Sequence, residues 1–286
     1  MDIIINNNYE GKLIREVLKK DLGYSMNLIK KLKFSPDGIK VDDVSPYIIP
    51  TELPIEVLYE DEYLTAVNKP YNMPAHPSLG HKLDTVANAL AYRYRGSTYV
   101  FRPVNRLDRD TSGCMLTANT KDASYKLYSS MVNGDIHKTY IAMLDMAPAQ
   151  REGVIETYMH RRENSIIERE VCSSDADEAK PAVTKYRVIC EKNGKCIVAA
   201  YPVTGRTHQI RVHFASVGCP IIGDSLYGRE SADISRHALH SWRTSFPHPL
   251  DGREMKVTAP LPEDMVNLAR SIGFDDINNI LNKADI

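Results

Sequence analysis

The sequence predicts an α+β fold: a mixed, mainly antiparallel β-sheet domain with flanking helices, preceded by a small helical module. Three observations carry this. Alternating segments rich in β-branched and aromatic residues recur beyond residue 50. Asn193-Gly194 stands between two of them and is the strongest local hairpin signal in the chain. Helical spacing of apolar residues is confined to a few short stretches.

The elements follow in order. Gly11 to Leu22 reads as a helix with Leu13, Val17 and Leu18 on one face. A second helix starts at Ser25 as N-cap and carries Leu28, Ile29 and Leu32. GIKVDD is a short strand, and the proline-rich SPYIIPTELP that follows is an extended linker. The boundary falls near residue 50, dividing a module at 1–50 from a larger domain at 51–286. Strand patterns then cover IEVLYEDEYLTAVNKP, GCMLTANT and HKTYIAMLD. KDASYKLYSSMVNG is a helix closed by Asn133-Gly134. VTKYRVICEKNGKCIVAAYPV is a hairpin, and HQIRVHFASVG is a helix with Ile210, Phe214 and Val217 as its apolar stripe.

Composition excludes several classes. Hydrophobic residues are 43% and charged residues 26% of the 286, ordinary for a globular chain. The first residues lack the pattern of a signal peptide, and no apolar run approaches the roughly 20 residues that cross a bilayer, so the expectation is a cytoplasmic protein without membrane association. Five cysteines, an odd number with no CxxC pair, argue against disulfides and zinc and for buried thiols. Net charge is −1, yet Met1–Lys33 carries +3 and Arg93–Lys138 carries +4, which fits an anionic partner met at one face.

Two polar concentrations hold the candidate chemistry. RPVNRLDRDTSG places Asp108 within two residues of Arg106 and Arg109, before a tight Thr-Ser-Gly turn. Positive neighbours favour an ionised carboxylate, which serves as nucleophile, electrostatic stabiliser or half of an ion pair. TGRTHQIRVH holds His208 and His213, about 140° apart on a helix and therefore poorly placed to share a metal. Arg211 lies beside the apolar stripe and needs an anionic partner, a demand Asp108 can meet.

NRLDRDTSG with TGRTHQIRVH resembles the RluA-type pseudouridine synthases, which isomerise uridine in ribosomal or transfer RNA. YEDEYLTAVNKPYNMPAHPS, HKTYIAM, GCPIIGDSLYG and LHSW followed by TAPLPEDM match in the family's order, from about residue 55 to residue 266. The resemblance implies that Asp108 is the catalytic aspartate, that Tyr140 lies against the target base and that Arg211 ion-pairs the aspartate. It implies that Arg106 fills the helix stack when the base is flipped out. Asn105, where relatives often carry His, joins Arg106, Arg109, Arg206, His208 and Gln209 as the expected RNA contacts. Lys69-Pro70 and Gly223-Asp224 match as well, with turn geometry and loop hydrogen bonds as their expected role. The partner implied is structured RNA, ribosomal or transfer, and the expected state is a monomer. No cofactor or metal is implied: the reaction has no redox change, and the chain has no dinucleotide fingerprint or P-loop. The N-terminal helices resemble the start of an S-four RNA-binding module, cut short before its β-rich half. Two rival readings are a non-catalytic RNA-binding ribosome-assembly factor, resting on the basic segments, and a hydrolase using Asp108 and Asp110 as paired carboxylates.

Overall fold

The computed structural model describes residues 48–284 and 286. The expected N-terminal helices, the strand after them and the truncated module lie outside these residues.

The chain enters through an irregular segment and forms a hairpin from β1 (Glu56–Glu60) and β2 (Leu64–Lys69). Asp61 shapes the turn, its Oδ1 accepting from the backbone N–H groups of Tyr63 and Leu64 at 2.8 and 2.9 Å. Helix α1 (Val86–Arg93) is capped by Thr85, whose hydroxyl accepts from the Asn88 N–H while the Asn88 amide reaches back to Thr85. Then come β3 (Arg102–Pro103), β4 (Ser112–Ala118), α2 (Lys121–Asn133) and β5 (His137–Leu144). Helix α2 stops where expected, at Gly134, whose φ of +86° belongs to the left-handed region. Next are β6 (Glu152–Arg161), β7 (Arg169–Cys172), β8 (Lys180–Lys192) and β9 (Lys195–Pro202). The β8–β9 turn is made by Asn193 and Gly194 at φ +53° and +76°, the tight turn that this dipeptide predicts. Helix α3 (Gln209–Ser216), β10 (Leu239–Pro247), β11 (Glu254–Thr258), α4 (Glu263–Ile272) and α5 (Ile277–Lys283) complete the described elements.

The strands form one sheet in the order β1-β2-β4-β10-β5-β9-β8-β6-β7, with β3 paired to β4 and β11 to β10. Every pairing is antiparallel except β4 with β10, where Ser112 and Gly113 lie beside His240 and Ser241. The α+β class with a mainly antiparallel sheet is therefore the observed one. The middle strands are the most apolar: Ile141, Met143, Leu144 and Ile197 are at most 1% exposed. Burying a side chain of this size contributes about 1.5–3 kcal/mol. Phe214 of α3 packs into the same core.

One reading needs correction. Val217 does not extend the α3 stripe; the helix ends at Ser216 and Val217 is 47% exposed, while Ile210 and Phe214 are buried. Residues 254–283 hold a strand and two helices that the periodicity did not reveal, and β6 with β7 forms a charged hairpin at one sheet edge.

Candidate active site

The turn at Asp108 is held through its backbone. The Asp108 carbonyl accepts from the Thr111 N–H at 3.1 Å, closing the turn. The Arg109 carbonyl accepts from Lys69 Nζ at 2.8 Å and from the Met73 N–H at 3.2 Å. The Asp110 carbonyl accepts from Arg236 Nη1 at 3.0 Å. Beyond the turn, the Thr111 hydroxyl is hydrogen-bonded with His237 Nε2 at 2.8 Å and the Ser112 hydroxyl with His240 Nδ1 at 2.9 Å. Gly113 then passes so close to β10 that a Cβ would overlap the Ser241 carbonyl, and its φ of +111° suits glycine alone.

This frame points the Asp108 carboxylate, 26% exposed, at Arg211 Nη1, 3.6 Å away. Arg211 is buried on α3 and gives its other edge to Asp224, with Nε and Nη2 at 2.7 and 2.8 Å from the two carboxylate oxygens. Burial raises the Asp224 pKa, but the hydrogen bonds and charge of Arg211 outweigh it and leave the carboxyl below its ordinary value. The Tyr227 ring lies 5.0 Å under the Arg211 guanidinium, and its hydroxyl is bonded with His208 Nδ1 at 2.7 Å. His208 occupies the left-handed N-cap of α3 at φ +58° and brings Nε2 to 4.0 Å from Asp108.

Asp108, Arg211 and Tyr140 open into one cavity of about 490 Å³. Tyr140 sits at the centre of the sheet, opposite Ser241 of β10 on one side and Ala200 of β9 on the other. Burial pushes its hydroxyl well above the usual tyrosine range, so the ring enters the cavity as a neutral phenol. Arg106, Arg206 and Lys138 also line the cavity. One carboxylate, one aromatic wall and several cations suit a nucleotide with its phosphates outside and its base within.

The expected RNA contacts divide. Arg106 lines the cavity and is exposed. Arg206 lines it too, with Nε donating to the Pro181 carbonyl at 2.9 Å. Asn105 reaches the cavity but ties its own loop to β4, accepting from the Leu116 N–H at 2.8 Å. Gln209 is 4% exposed, and its amide is committed to Thr204, Arg206, Val183 and Thr184. Arg109 is outside the cavity lining and pairs with Asp110 at 2.9 Å. Burial raises the Asp110 pKa, yet the Arg109 hydrogen bond and charge bring it below its ordinary value. It is no candidate for a proton-donating acid, which removes the footing of the paired-carboxylate hydrolase.

His213 is turned away, between the hydroxyls of Thr157 and Thr184 at 3.1 and 2.9 Å. Among the described residues no group of His, Cys, Asp and Glu is arranged to hold a metal ion. Cys114 is buried and its thiol is pushed up to about 11 by burial, as a packing residue requires. Sequence reasoning did not single out Lys138, Tyr227, Arg236 or His237. Tyr227 was legible only as part of GDSLYG, three residues after Asp224.

Residues 63–216 match the family model described as RNA pseudouridylate synthase. The uncharacterized RNA pseudouridine synthase YjbO of Bacillus subtilis is 39% identical over 80% of this chain and 80% of its own. The ribosomal large subunit pseudouridine synthase D of Zymomonas mobilis is 33% identical over 80% of this chain and 76% of its own. The solved structure of human RNA pseudouridylate synthase domain containing 4 shares the fold, with a TM-score of 0.64 at 23% identity over 76% of this chain and 92% of that one. The chain belongs to the RNA pseudouridylate synthase family. It is a pseudouridine synthase, an isomerase whose substrate is RNA. No described helix is long and apolar enough to cross a membrane.

Proposed function

We propose that this enzyme isomerises selected uridines in structured ribosomal RNA, with Asp108 as the catalytic carboxylate. The observation that carries the reading is the Asp108 side chain, open to a nucleotide-sized cavity, with Arg211 Nη1 at 3.6 Å and Tyr140 in the same wall. Ribosomal RNA is the favoured class because the relative from Zymomonas mobilis is named for the large ribosomal subunit; transfer RNA is the alternative.

Conversion of uridine to pseudouridine breaks the bond from N1 of uracil to C1′ of ribose, turns the base and rejoins it through C5; C5 gives up its proton to solvent and the freed N1 takes one up. Asp108 either attacks the sugar covalently or takes a ribose proton as the base departs. Both roles are served by a carboxylate that the Arg211 guanidinium approaches to 3.6 Å. The uridine leaves its helix to enter the cavity, at a cost of a few kcal/mol. Stacking on Tyr140 offsets this by about 1–3 kcal/mol. Arg106, exposed at the cavity, fills the space the base vacates.

The test is tritium release from ribosomal and transfer RNA labelled at C5 of uracil. The parent enzyme releases tritium from the ribosomal transcript and Asp108→Asn does not. Undiminished release by Asp108→Asn overturns the assignment of Asp108. Release from transfer RNA alone overturns the choice of RNA. Full complementation of a deletion strain by Asp108→Asn would favour the non-catalytic binding role instead.

A further inference from the structure

We infer that Arg236 is a positioning residue for the reacting carboxylate, clamping the Asp108 turn to Asp264 of α4. The inference rests on Asp108 being the reacting group.

Arg236 precedes β10 and its side chain is 2% exposed. Its Nε and Nη2 grip the two oxygens of Asp264 at 2.7 and 3.0 Å. Its Nη1 donates to the Asp110 carbonyl at 3.0 Å and meets the carbonyls of His237 and Leu239 at 3.3 and 3.2 Å. The Tyr71 ring lies 4.8 Å over the guanidinium. Asp264 is fixed in turn: it occupies the first turn of α4, and its Oδ1 accepts from the Met265 N–H at 2.8 Å. One side chain therefore joins three pieces of chain distant in sequence: the catalytic turn, the entry to β10 and the start of α4.

This arrangement needs a planar fork. The carboxylate takes one edge of the guanidinium while the remaining nitrogen reaches the backbone, which an ammonium on a flexible stem cannot reproduce. Asp110 is two residues from Asp108, so freedom at its carbonyl becomes freedom in the Asp108 carboxylate relative to Arg211. The next side chains along the chain act in the same sense, His237 on Thr111 and His240 on Ser112. Arg236, His237 and His240 thus hold residues 110–112 in register. Neither Arg236 nor Asp264 lines the cavity, so their effect is on the placement of Asp108 and not on RNA contact.

The experiment compares Arg236→Lys, Asp264→Asn and Asp108→Asn in the full chain, by steady-state tritium release from one RNA transcript. The folded fraction is measured by circular dichroism at the assay temperature. For Arg236→Lys and Asp264→Asn, kcat per folded molecule is expected to fall roughly tenfold to hundredfold, the scale of a displacement near 1 Å. KM is expected to stay within about twofold, since the lost interaction does not bind substrate. A kcat per folded molecule within about twofold of the parent in both variants overturns the inference, as does a rise in KM at unchanged kcat. Activity retained by Asp108→Asn overturns the catalytic reading itself, whatever the other two variants do.

Discussion

Arg211 places Nε and Nη2 on Asp224 and turns only Nη1 toward Asp108. The buried pair is the anchor, and the half-buried Asp108 carboxylate lies at its open edge. A guanidinium that is already neutralised on one side can face Asp108 without being drawn out of position. Arg211→Lys keeps the charge but cannot hold both carboxylates, so tritium release is expected to fall by about tenfold or more. Asp224→Ala removes both short hydrogen bonds from the buried guanidinium, leaves it only the 3.6 Å approach to Asp108, and is expected to cost about 3 kcal/mol of stability. Assay of Arg211→Lys beside urea unfolding of Asp224→Ala checks both. Parent-like kcat in Arg211→Lys would show that the fork is dispensable.

Lys69 should report on pH. Its ammonium is fully buried against the carbonyls of Pro70, Met73 and Arg109, at 2.8, 2.7 and 2.8 Å. Burial pulls its pKa down to about 7, against the opposing charges of Asp110 and Asp108. Below that pH the folded and unfolded chains both carry the proton. Above it the folded chain sheds a proton that the unfolded chain keeps until about pH 10.4. Stability therefore gains up to about 1.4 kcal/mol per pH unit from this residue between those values. Chemical unfolding at pH 7 and pH 9.5 is expected to show the gain in the parent and not in Lys69→Met. An identical pH dependence in the two proteins would remove Lys69 as its source.

Acid should unfold the protein through its buried histidines. Burial lowers His213 and His240 to about 4 and His237 to about 3. These values lie below the unfolded value of about 6.5. As pH falls below about 6.5 the unfolded chain gains protons that the folded chain refuses, so stability drops by up to about 1.4 kcal/mol per pH unit for each histidine. The loss continues to about pH 4 for two of them and about pH 3 for the third. Melting temperature measured from pH 7 to pH 4.5 is expected to fall steeply in the parent and less steeply in His240→Asn. Equal slopes would assign the acid sensitivity elsewhere.

The two glycines at Gly113 and Gly134 should behave differently although both have positive φ. Gly134→Ala meets no atom within 4 Å and carries only the backbone cost, about 1 kcal/mol. Gly113→Ala adds a collision with the Ser241 backbone in the middle of the sheet, and is expected to lower the melting temperature several times as much. Comparable shifts in the two variants would mean that β4 can move away from β10.

Local elements were legible wherever the signal was local. Asn193-Gly194 specifies its own turn, and Asn133-Gly134 its own helix end, because left-handed φ is a property of one or two residues. β10 was not legible as a strand, because Leu239 to Trp242 is buried on both faces and carries His240 and Ser241 among its apolar residues. Both faces of β10 are covered along this stretch, and that erases the alternation which one exposed face would leave. The resemblance named Asp108, Tyr140 and Arg211, which the fold brings to one cavity, yet the carboxylate that grips Arg211 is Asp224, thirteen residues along α3 and the loop after it.

Residue types and their spacing determine the α+β class, the hairpin turn, the helix ends and the presence of a carboxylate flanked by arginines. They act over a few bonds, through dihedral preference, periodicity and neighbouring charge. The 3.6 Å approach of Arg211 to Asp108 spans more than a hundred residues and exists only once the sheet order β4-β10-β5-β9 has brought the turn before β4 and the helix after β9 together. The grip of Lys69 on Arg109 and of Arg236 on Asp110 falls on backbone carbonyls, which every residue possesses. An acceptor common to all residues leaves no mark in the sequence, so only the tertiary fold selects which carbonyl is held.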